Sequence, residues 1–135
     1  MTVIFVCTGN TCRSPMAEGI AKNLMPQWDI SSAGLMVSPD ESVARNAVWA
    51  MDEIGIDISN HIPRQLDMDM ADSADYIVPM TESHRFILQN AGVDNSKILD
   101  LGEPVPDPYG GDLPIYEACR DKLCDLIKTL SEKIK

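Results

Sequence analysis

The fold is decided by residues 2–15, which read Thr2-Val3-Ile4-Phe5-Val6-Cys7-Thr8-Gly9-Asn10-Thr11-Cys12-Arg13-Ser14-Pro15. The first five are mostly β-branched or aromatic and predict a buried strand. Pro15 is typical of the first position of a helix, where its missing N–H would be unpaired in any case. A strand that passes through a short loop into a helix is the opening of a parallel βαβ unit. The sequence therefore predicts an α/β fold from its first residues.

Further strands are indicated by three short apolar runs. They lie at residues 28–33, 76–80 and 97–101, each followed by turn-forming or polar residues. Because longer segments with helical spacing separate these runs, the strands should be parallel and joined by crossover helices. We expect one doubly wound, three-layer α/β domain over residues 1–135, with helices on both faces of the sheet.

Two helices and one long loop can also be predicted. Apolar residues recur at helical spacing over residues 43–54 and again over residues 115–134. Gly55 should end the first of these helices, because glycine readily adopts the left-handed conformation beyond a last turn. Residues 102–114 are too rich in proline and glycine for regular structure and predict a surface loop. Such loops often carry functional side chains.

The composition limits the classes of partner. Of 135 residues, 44% are hydrophobic and 24% charged, as in ordinary globular proteins. Lys and Arg number 11 against 21 Asp and Glu, and the net charge of −10 argues against binding to nucleic acid or anionic membranes. Because the sequence has neither a signal-like start nor a membrane-length apolar run, we expect a cytoplasmic protein with four reduced cysteines. The oligomeric state is left open, with a monomer expected.

The loop after the first strand has the composition of an anion cradle. A loop that leads into a helix N-terminus presents backbone N–H groups to an anion at the end of a parallel strand. Gly9 and Asn10 tolerate the left-handed dihedral angles that a tight nest of amides requires. The guanidinium of Arg13 can hold two phosphate oxygens at once. We therefore predict a phosphate site whose ligands come from consecutive residues, namely Thr8, Gly9, Asn10, Thr11, Cys12, Arg13 and Ser14.

Cys7 is the candidate nucleophile of this site. The helix dipole, the loop amides and Arg13 would all stabilise its thiolate, and Ser14 is placed to donate a hydrogen bond to it. A thiolate facing a phosphoryl group predicts in-line attack through a phosphocysteine, which requires no metal and no cofactor. The leaving group then needs an acid, and Asp107, before Pro108 in the long loop, is the candidate. An Asp-Pro pair that merely starts a turn is the alternative interpretation.

These two motifs, in this order, strongly resemble the low-molecular-weight protein tyrosine phosphatases. The resemblance spans essentially the whole chain and rests on Cys7-Thr8-Gly9-Asn10-Thr11-Cys12-Arg13-Ser14 and on Asp107-Pro108-Tyr109. It implies a four-stranded parallel sheet with flanking helices. It also implies Cys7 as nucleophile, Arg13 as phosphate ligand and Asp107 as general acid. By the same likeness Asn10 holds the strained shape of the loop and Ser14 supports the thiolate.

One position suggests a branch of that family. Thr11, together with Asp107-Pro108-Tyr109-Gly110-Gly111, resembles the bacterial protein-arginine phosphatases, whereas the tyrosine phosphatases usually have a bulky aliphatic residue at Thr11. A small hydroxyl residue gives a polar guanidinium room and a hydrogen-bond partner. Thr11 and Tyr109 are therefore predicted to set specificity for a phosphorylated protein substrate. A tyrosine phosphatase in which Thr11 is neutral variation is the alternative.

Other classes of function are disfavoured by particular residues. Arsenate reductases of the same fold pass a disulfide along extra cysteines after the third strand, and residues 80–92 contain none. A zinc site would have to combine Cys7 and Cys12 with His61 or His84 from scattered elements. A non-catalytic phosphate-binding module would not need a thiol at the strand end. Cys12 is either packing filler or a partner of Cys7 in a disulfide formed on oxidation.

Overall fold

A parallel sheet of three strands lies at the centre of the structure, a computed structural model that describes residues 1–134. The strands are β1 (Thr2–Cys7), β2 (Asp29–Gly34) and β3 (Tyr76–Pro79). Their order is β2-β1-β3, so β1 is the central strand and pairs in parallel with both neighbours. Cys7 lies opposite Gly34 at the carboxyl end of the β1–β2 pair. That edge is where parallel sheets place their ligand sites.

Helices connect and cover the strands. They are α1 (Arg13–Leu24), α2 (Arg45–Asp52), α3 (Met68–Ser73), α4 (Glu82–Asn90) and α5 (Leu113–Ile134), with a short 3₁₀ helix at Asn95–Lys97. Helix α5 packs against both α1 and α2. None of the helices within residues 1–134 combines the length and apolar composition needed to cross a bilayer.

The alternation of side chains along β1 divides the core into two layers. Val3 and Phe5 are buried on the face that α1 and α5 cover, where they meet residues such as Leu123. Ile4 and Val6 point to the other face. Because both faces of this strand are apolar and buried, its sequence is a continuous hydrophobic run rather than an alternating one. The predicted three-layer α/β arrangement is thus confirmed.

The expected number of strands is wrong. We predicted four, with the last at residues 97–101, but the described chain has three, and the segment makes only an isolated bridge between Ile77 and Ile98. Leu99 N–H also donates to the carbonyl of Ile77 at 3.0 Å. The Asn95–Lys97 turn precedes this bridge, and Gly102, with φ of 96°, redirects the chain shortly after it. The segment therefore contributes one isolated bridge to β3 and no ladder.

The predicted helices need smaller corrections. Helix α2 ends at Asp52, so Ile54 lies beyond it and is exposed, while Gly55 has the expected positive φ of 78° in the turn that follows. Helix α5 begins at Leu113, within the segment predicted as loop. Its buried face starts at Tyr116 rather than at the exposed Ile115.

Candidate active site

Residues 8–12, hereafter the phosphate loop, join the carboxyl end of β1 to the N-terminus of α1. Asn10 has φ of 56° and is the only non-glycine residue among those described with a positive φ. The prediction of a left-handed residue in the loop is therefore confirmed for Asn10. For Gly9 it is wrong, because the positive-φ glycines lie elsewhere in the described chain.

A network of buried side chains holds Asn10 in this conformation. Its amide nitrogen donates to Ser14 Oγ at 2.8 Å and to Ser32 Oγ at 3.0 Å. Its amide oxygen accepts the backbone N–H of Arg64 at 3.0 Å and contacts His61 Nε2 at 3.1 Å. A left-handed asparagine is costly unless its surroundings fix it, and here both ends of the amide are engaged.

The same network reaches the thiol of Cys7. Ser14 Oγ lies 2.8 Å from Cys7 Sγ and already accepts a hydrogen bond from Asn10 Nδ2. Because that acceptance leaves the hydroxyl hydrogen of Ser14 unused, Ser14 can donate it to the sulfur. The predicted hydrogen bond between Ser14 and Cys7 is thus present in the structure. A donor aimed at the sulfur favours its anionic form.

Arg13 and Asp107 meet beside the loop. Arg13 is 6% exposed, and its Nη1 donates to the carbonyl of Val105 at 3.1 Å. Its Nη2 lies 3.7 Å from Asp107 Oδ2. Val105 in turn donates its N–H to the carbonyl of Met80, beyond the end of β3. The long loop is therefore tied to the sheet edge, where it places the Asp107 carboxylate next to the predicted phosphate ligand.

A cavity of about 230 Å³ opens over these groups. Most of the predicted site residues line it: Cys7, Thr8, Gly9, Thr11, Cys12, Arg13, Asp107 and Tyr109. Asn10 and Ser14 are fully buried and act from behind the cavity rather than as part of its wall. Three further lining residues, Met36, Ser38 and Glu41, were not predicted from the sequence. They belong to the segment after β2, and no local motif marks them.

His84 supports the loop from the side of β3. Its imidazole Nε2 lies 2.9 Å from Thr8 Oγ1, and its Nδ1 lies 3.0 Å from Thr81 Oγ1. Thr81 caps α4, because its hydroxyl accepts the backbone N–H of His84. Burial, and then the charge of Arg13, lower the pKa of His84 to about 4. In a neutral imidazole one ring nitrogen donates and the other accepts, so the His84 ring bridges Thr8 and Thr81.

The remaining cysteines differ from Cys7 in their surroundings. All four cysteines are free thiols. Cys12 Sγ lies 3.2 Å from the hydroxyl of Tyr116, and burial raises the pKa of Cys12. Burial also raises the pKa of Cys119 to about 12, as befits a thiol on the apolar face of α5. Both thiols are therefore held in the neutral form.

Both histidines of the possible zinc site are engaged elsewhere. His61 contacts the backbone and side-chain oxygens of Asn10, and His84 bonds Thr8 and Thr81. Within residues 1–134, no three His, Cys, Asp or Glu side chains are grouped so that they could hold a metal ion. The cavity brings together the Cys7 thiol, the Arg13 guanidinium and the Asp107 carboxylate. It can carry a phosphoryl transfer to sulfur.

Comparison with known proteins agrees with this chemistry. Residues 2–135 match the family of the low molecular weight phosphotyrosine protein phosphatase. A protein-arginine-phosphatase of Bacillus subtilis is 37% identical, covering 100% of this chain and 97% of its own length. The low molecular weight protein-tyrosine-phosphatase PtpB of Staphylococcus epidermidis is 32% identical, with 98% and 99% covered.

A solved structure extends the comparison to three dimensions. It is a mutant of the YwlE arginine phosphatase with a phosphorylated active-site serine. It superposes with a TM-score of 0.91 at 34% identity, covering 99% of this chain and 95% of that one. The resemblance found in the sequence is confirmed, and the chain belongs to the low molecular weight phosphotyrosine protein phosphatase family, as a protein phosphatase.

Proposed function

We propose that this protein removes phosphoryl groups from arginine side chains of proteins through a phosphocysteine formed on Cys7. The observation that carries the proposal is the convergence of three groups on one cavity: Cys7 at its base, Arg13 at its side and Asp107 at its mouth. A nucleophile, an anion ligand and a proton donor are the minimum set for this reaction.

The first half of the reaction transfers the phosphoryl group to sulfur. The Cys7 thiolate attacks phosphorus while the bond from phosphorus to the guanidine nitrogen breaks. Asp107, as the acid, gives its proton to that nitrogen, so the substrate leaves as arginine. The loop amides and Arg13 stabilise the phosphoryl oxygens as their charge shifts. The Ser14 hydroxyl, 2.8 Å from the sulfur, stabilises the thiolate before attack.

The second half returns the enzyme to its starting state. Water attacks the phosphorus of the phosphocysteine, and the Asp107 carboxylate takes a proton from that water. The bond between sulfur and phosphorus breaks, which restores the Cys7 thiolate and releases inorganic phosphate. The same residue serves as acid and then as base, as a two-step hydrolysis of this kind requires.

Thr11 supports arginine as the bearer of the phosphoryl group. It lines the cavity next to Cys12, where its hydroxyl can accept a hydrogen bond from a guanidinium. The relatives named protein-arginine-phosphatase support the same assignment for this protein. Phosphotyrosine is the second candidate, favoured by the relatives named protein-tyrosine-phosphatase and by the aromatic ring of Tyr109 at the cavity.

The setting of the reaction is also part of the proposal. We propose that residues 1–135 form one domain and that it works on phosphorylated proteins in the cytoplasm. All three strands belong to one sheet, and the buried apolar residues form one layer on each face of it, which supports a single domain. Four free thiols support a reducing compartment.

The test compares phosphate release from matched phosphoarginine and phosphotyrosine peptides. Wild type should prefer phosphoarginine, Cys7→Ser should lose turnover but keep phosphate binding, and Thr11→Ile should shift the preference toward phosphotyrosine. Thr129→Ile, the same change at an exposed site on α5, is the control and should behave as wild type. Turnover by Cys7→Ser near the wild-type rate would exclude the mechanism. A wild-type preference for phosphotyrosine would exclude the arginine assignment alone.

A further inference from the structure

A second carboxylate lines the cavity that should receive a phosphoryl dianion. Among the described residues of its wall, Arg13 is the only cation, whereas Asp107 and Glu41 contribute two carboxylates. Asp107 has a place in the proposed reaction as acid and base. Glu41 has none, and a carboxylate near a dianionic substrate weakens binding unless the substrate also brings a positive charge.

The backbone that carries Glu41 is fixed to the phosphate loop at both ends. At its start, the N–H groups of Leu35 and Met36 donate to the carbonyls of Cys7 and Thr8, each at 2.9 Å. At its end, the N–H of Ala44 donates to the carbonyl of Thr11 at 2.9 Å. Residues 35–44 therefore form a wall whose position relative to the thiol is set by hydrogen bonds, rather than a free surface loop.

The Glu41 side chain is also held from across the cavity. The hydroxyl of Tyr109 donates to Glu41 Oε1 at 3.3 Å, which links this wall to the loop that carries Asp107. The negative charge of Glu41 raises the pKa of Tyr109, so the phenol keeps the proton that it donates. A second bond joins the same two regions, because Asn46 Nδ2 donates to the carbonyl of Gly111 at 3.2 Å. Glu41 is thus oriented at the entrance.

The two candidate substrates differ in the charge of the group next to the phosphoryl group. Next to its phosphoryl group, phosphoarginine carries a guanidinium that is cationic at neutral pH, whereas phosphotyrosine carries an uncharged ring. A carboxylate at the entrance attracts the guanidinium of phosphoarginine and so favours its binding. To phosphotyrosine the same carboxylate offers only repulsion of the phosphoryl group. We propose that Glu41 is a specificity-determining residue that favours phosphorylated guanidinium side chains over phosphorylated aromatic ones. This inference rests on the proposed function and names a residue that selects its substrate.

The test measures kcat/KM on the two matched peptides for wild type, Glu41→Gln and Glu41→Lys. We expect the ratio of phosphoarginine to phosphotyrosine activity to fall about fivefold in Glu41→Gln and further in Glu41→Lys, as for partly exposed charge pairs. Tyr109→Phe keeps the ring but loses the bond to Glu41 and should show a smaller fall. Asp40→Asn is the matched control, since Asp40 is the exposed chain neighbour of Glu41 but does not line the cavity. Its ratio should stay at the wild-type value.

Added salt provides an independent readout. Because the pair is near solvent, raising the ionic strength should shrink the difference between wild type and Glu41→Gln. A Glu41→Gln ratio within about twofold of wild type, or an equal fall in Asp40→Asn, would overturn the proposal. The wild-type ratio alone tests the arginine assignment, and its change on substitution tests Glu41. The two failures are therefore distinguishable.

Discussion

At the scale of single residues, the site depends on a few side chains that are each held by a specific partner. Asn10, Ser14 and Cys7 form a chain of hydrogen bonds of 2.8 Å each, which presents one hydroxyl to the sulfur. Asp107, in contrast, is half exposed, and its Oδ2 lies 3.7 Å from Arg13 Nη2. A carboxylate at the cavity can give a proton in the first half reaction and take one from water in the second, as the proposed role requires.

Replacing Asp107 with Asn should therefore affect substrates unequally. We expect kcat/KM to fall about 100-fold on substrates with poor leaving groups and far less on activated aryl phosphates, which need no acid. Steady-state kinetics on a series of leaving groups measures this directly. Glu103→Gln, at an exposed acidic residue of the same loop, should leave both values unchanged. Equal losses for Asp107→Asn across the series would remove Asp107 from the acid role.

At the scale of secondary-structure elements, the approach of β2 to the phosphate loop sets the geometry. Gly34 ends β2 opposite Cys7, and a methyl group at Gly34 would lie 2.7 Å from the carbonyl oxygen of Thr8 and 2.5 Å from Val37 Cγ2. Backbone atoms cannot yield as a flexible side chain does. Only glycine therefore allows the loop its observed position beside the strand.

Gly34→Ala should consequently displace the phosphate loop. We expect a loss of about 100-fold in kcat/KM, the effect of a misplaced catalytic group, with a stability loss of about 1–3 kcal/mol from overpacking. Kinetics and urea unfolding on the same samples measure both quantities. The comparison is Gly92→Ala, where φ is 93° and nothing lies within 4 Å, so stability should fall while kcat/KM is kept. Full activity in Gly34→Ala would contradict the close approach.

Only some of the secondary-structure elements have local signals in the sequence. Strand β1, the phosphate loop and the start of α1 were predictable because their signals are local: a β-branched run, glycine with asparagine, and proline in a first turn. The absence of a fourth strand was not predictable, because residues 97–101 are apolar enough for a strand, yet Lys97 belongs to the 3₁₀ helix and only an isolated bridge at Ile98 follows it. The position of Glu41 at the cavity was not predictable from the sequence either. Its place at the cavity follows from hydrogen bonds such as that between Ala44 and Thr11, which no local pattern encodes.

At the scale of the whole molecule, stability is linked to pH through buried imidazoles. Burial lowers the pKa of His61, and burial together with Arg13 lowers that of His84 from 6.5 to about 4. Unfolded histidine takes up a proton as the pH falls through 6.5, while folded His84 resists until about pH 4. The stability due to neutral His84 is therefore fully present above pH 6.5 and is lost as the pH falls toward 4.

Acid should accordingly destabilise wild type more than a variant without this imidazole. The lowered pKa of His84 corresponds to a loss of at most about 3 kcal/mol in the free energy of unfolding between neutral pH and about pH 4. We expect the free energy of unfolding in urea to fall more steeply with acid in wild type than in His84→Gln, which keeps an amide for hydrogen bonding. Carboxylates titrate alike in both proteins and cancel from the difference. Parallel curves would show that folding does not lower the pKa of His84.

If a phosphoryl group passes from a protein arginine to Cys7, a phosphocysteine must form on the enzyme. Trapping this phosphocysteine is the most direct test of the proposed reaction. Wild-type protein is mixed with a phosphoarginine protein, quenched within a single turnover and mapped by peptide mass spectrometry. We expect one added phosphoryl group on the peptide that contains Cys7, and none there in Cys7→Ala or after turnover is complete. A phosphoryl group on another residue, or phosphate release during the first turnover with no phosphorylated Cys7, would contradict it.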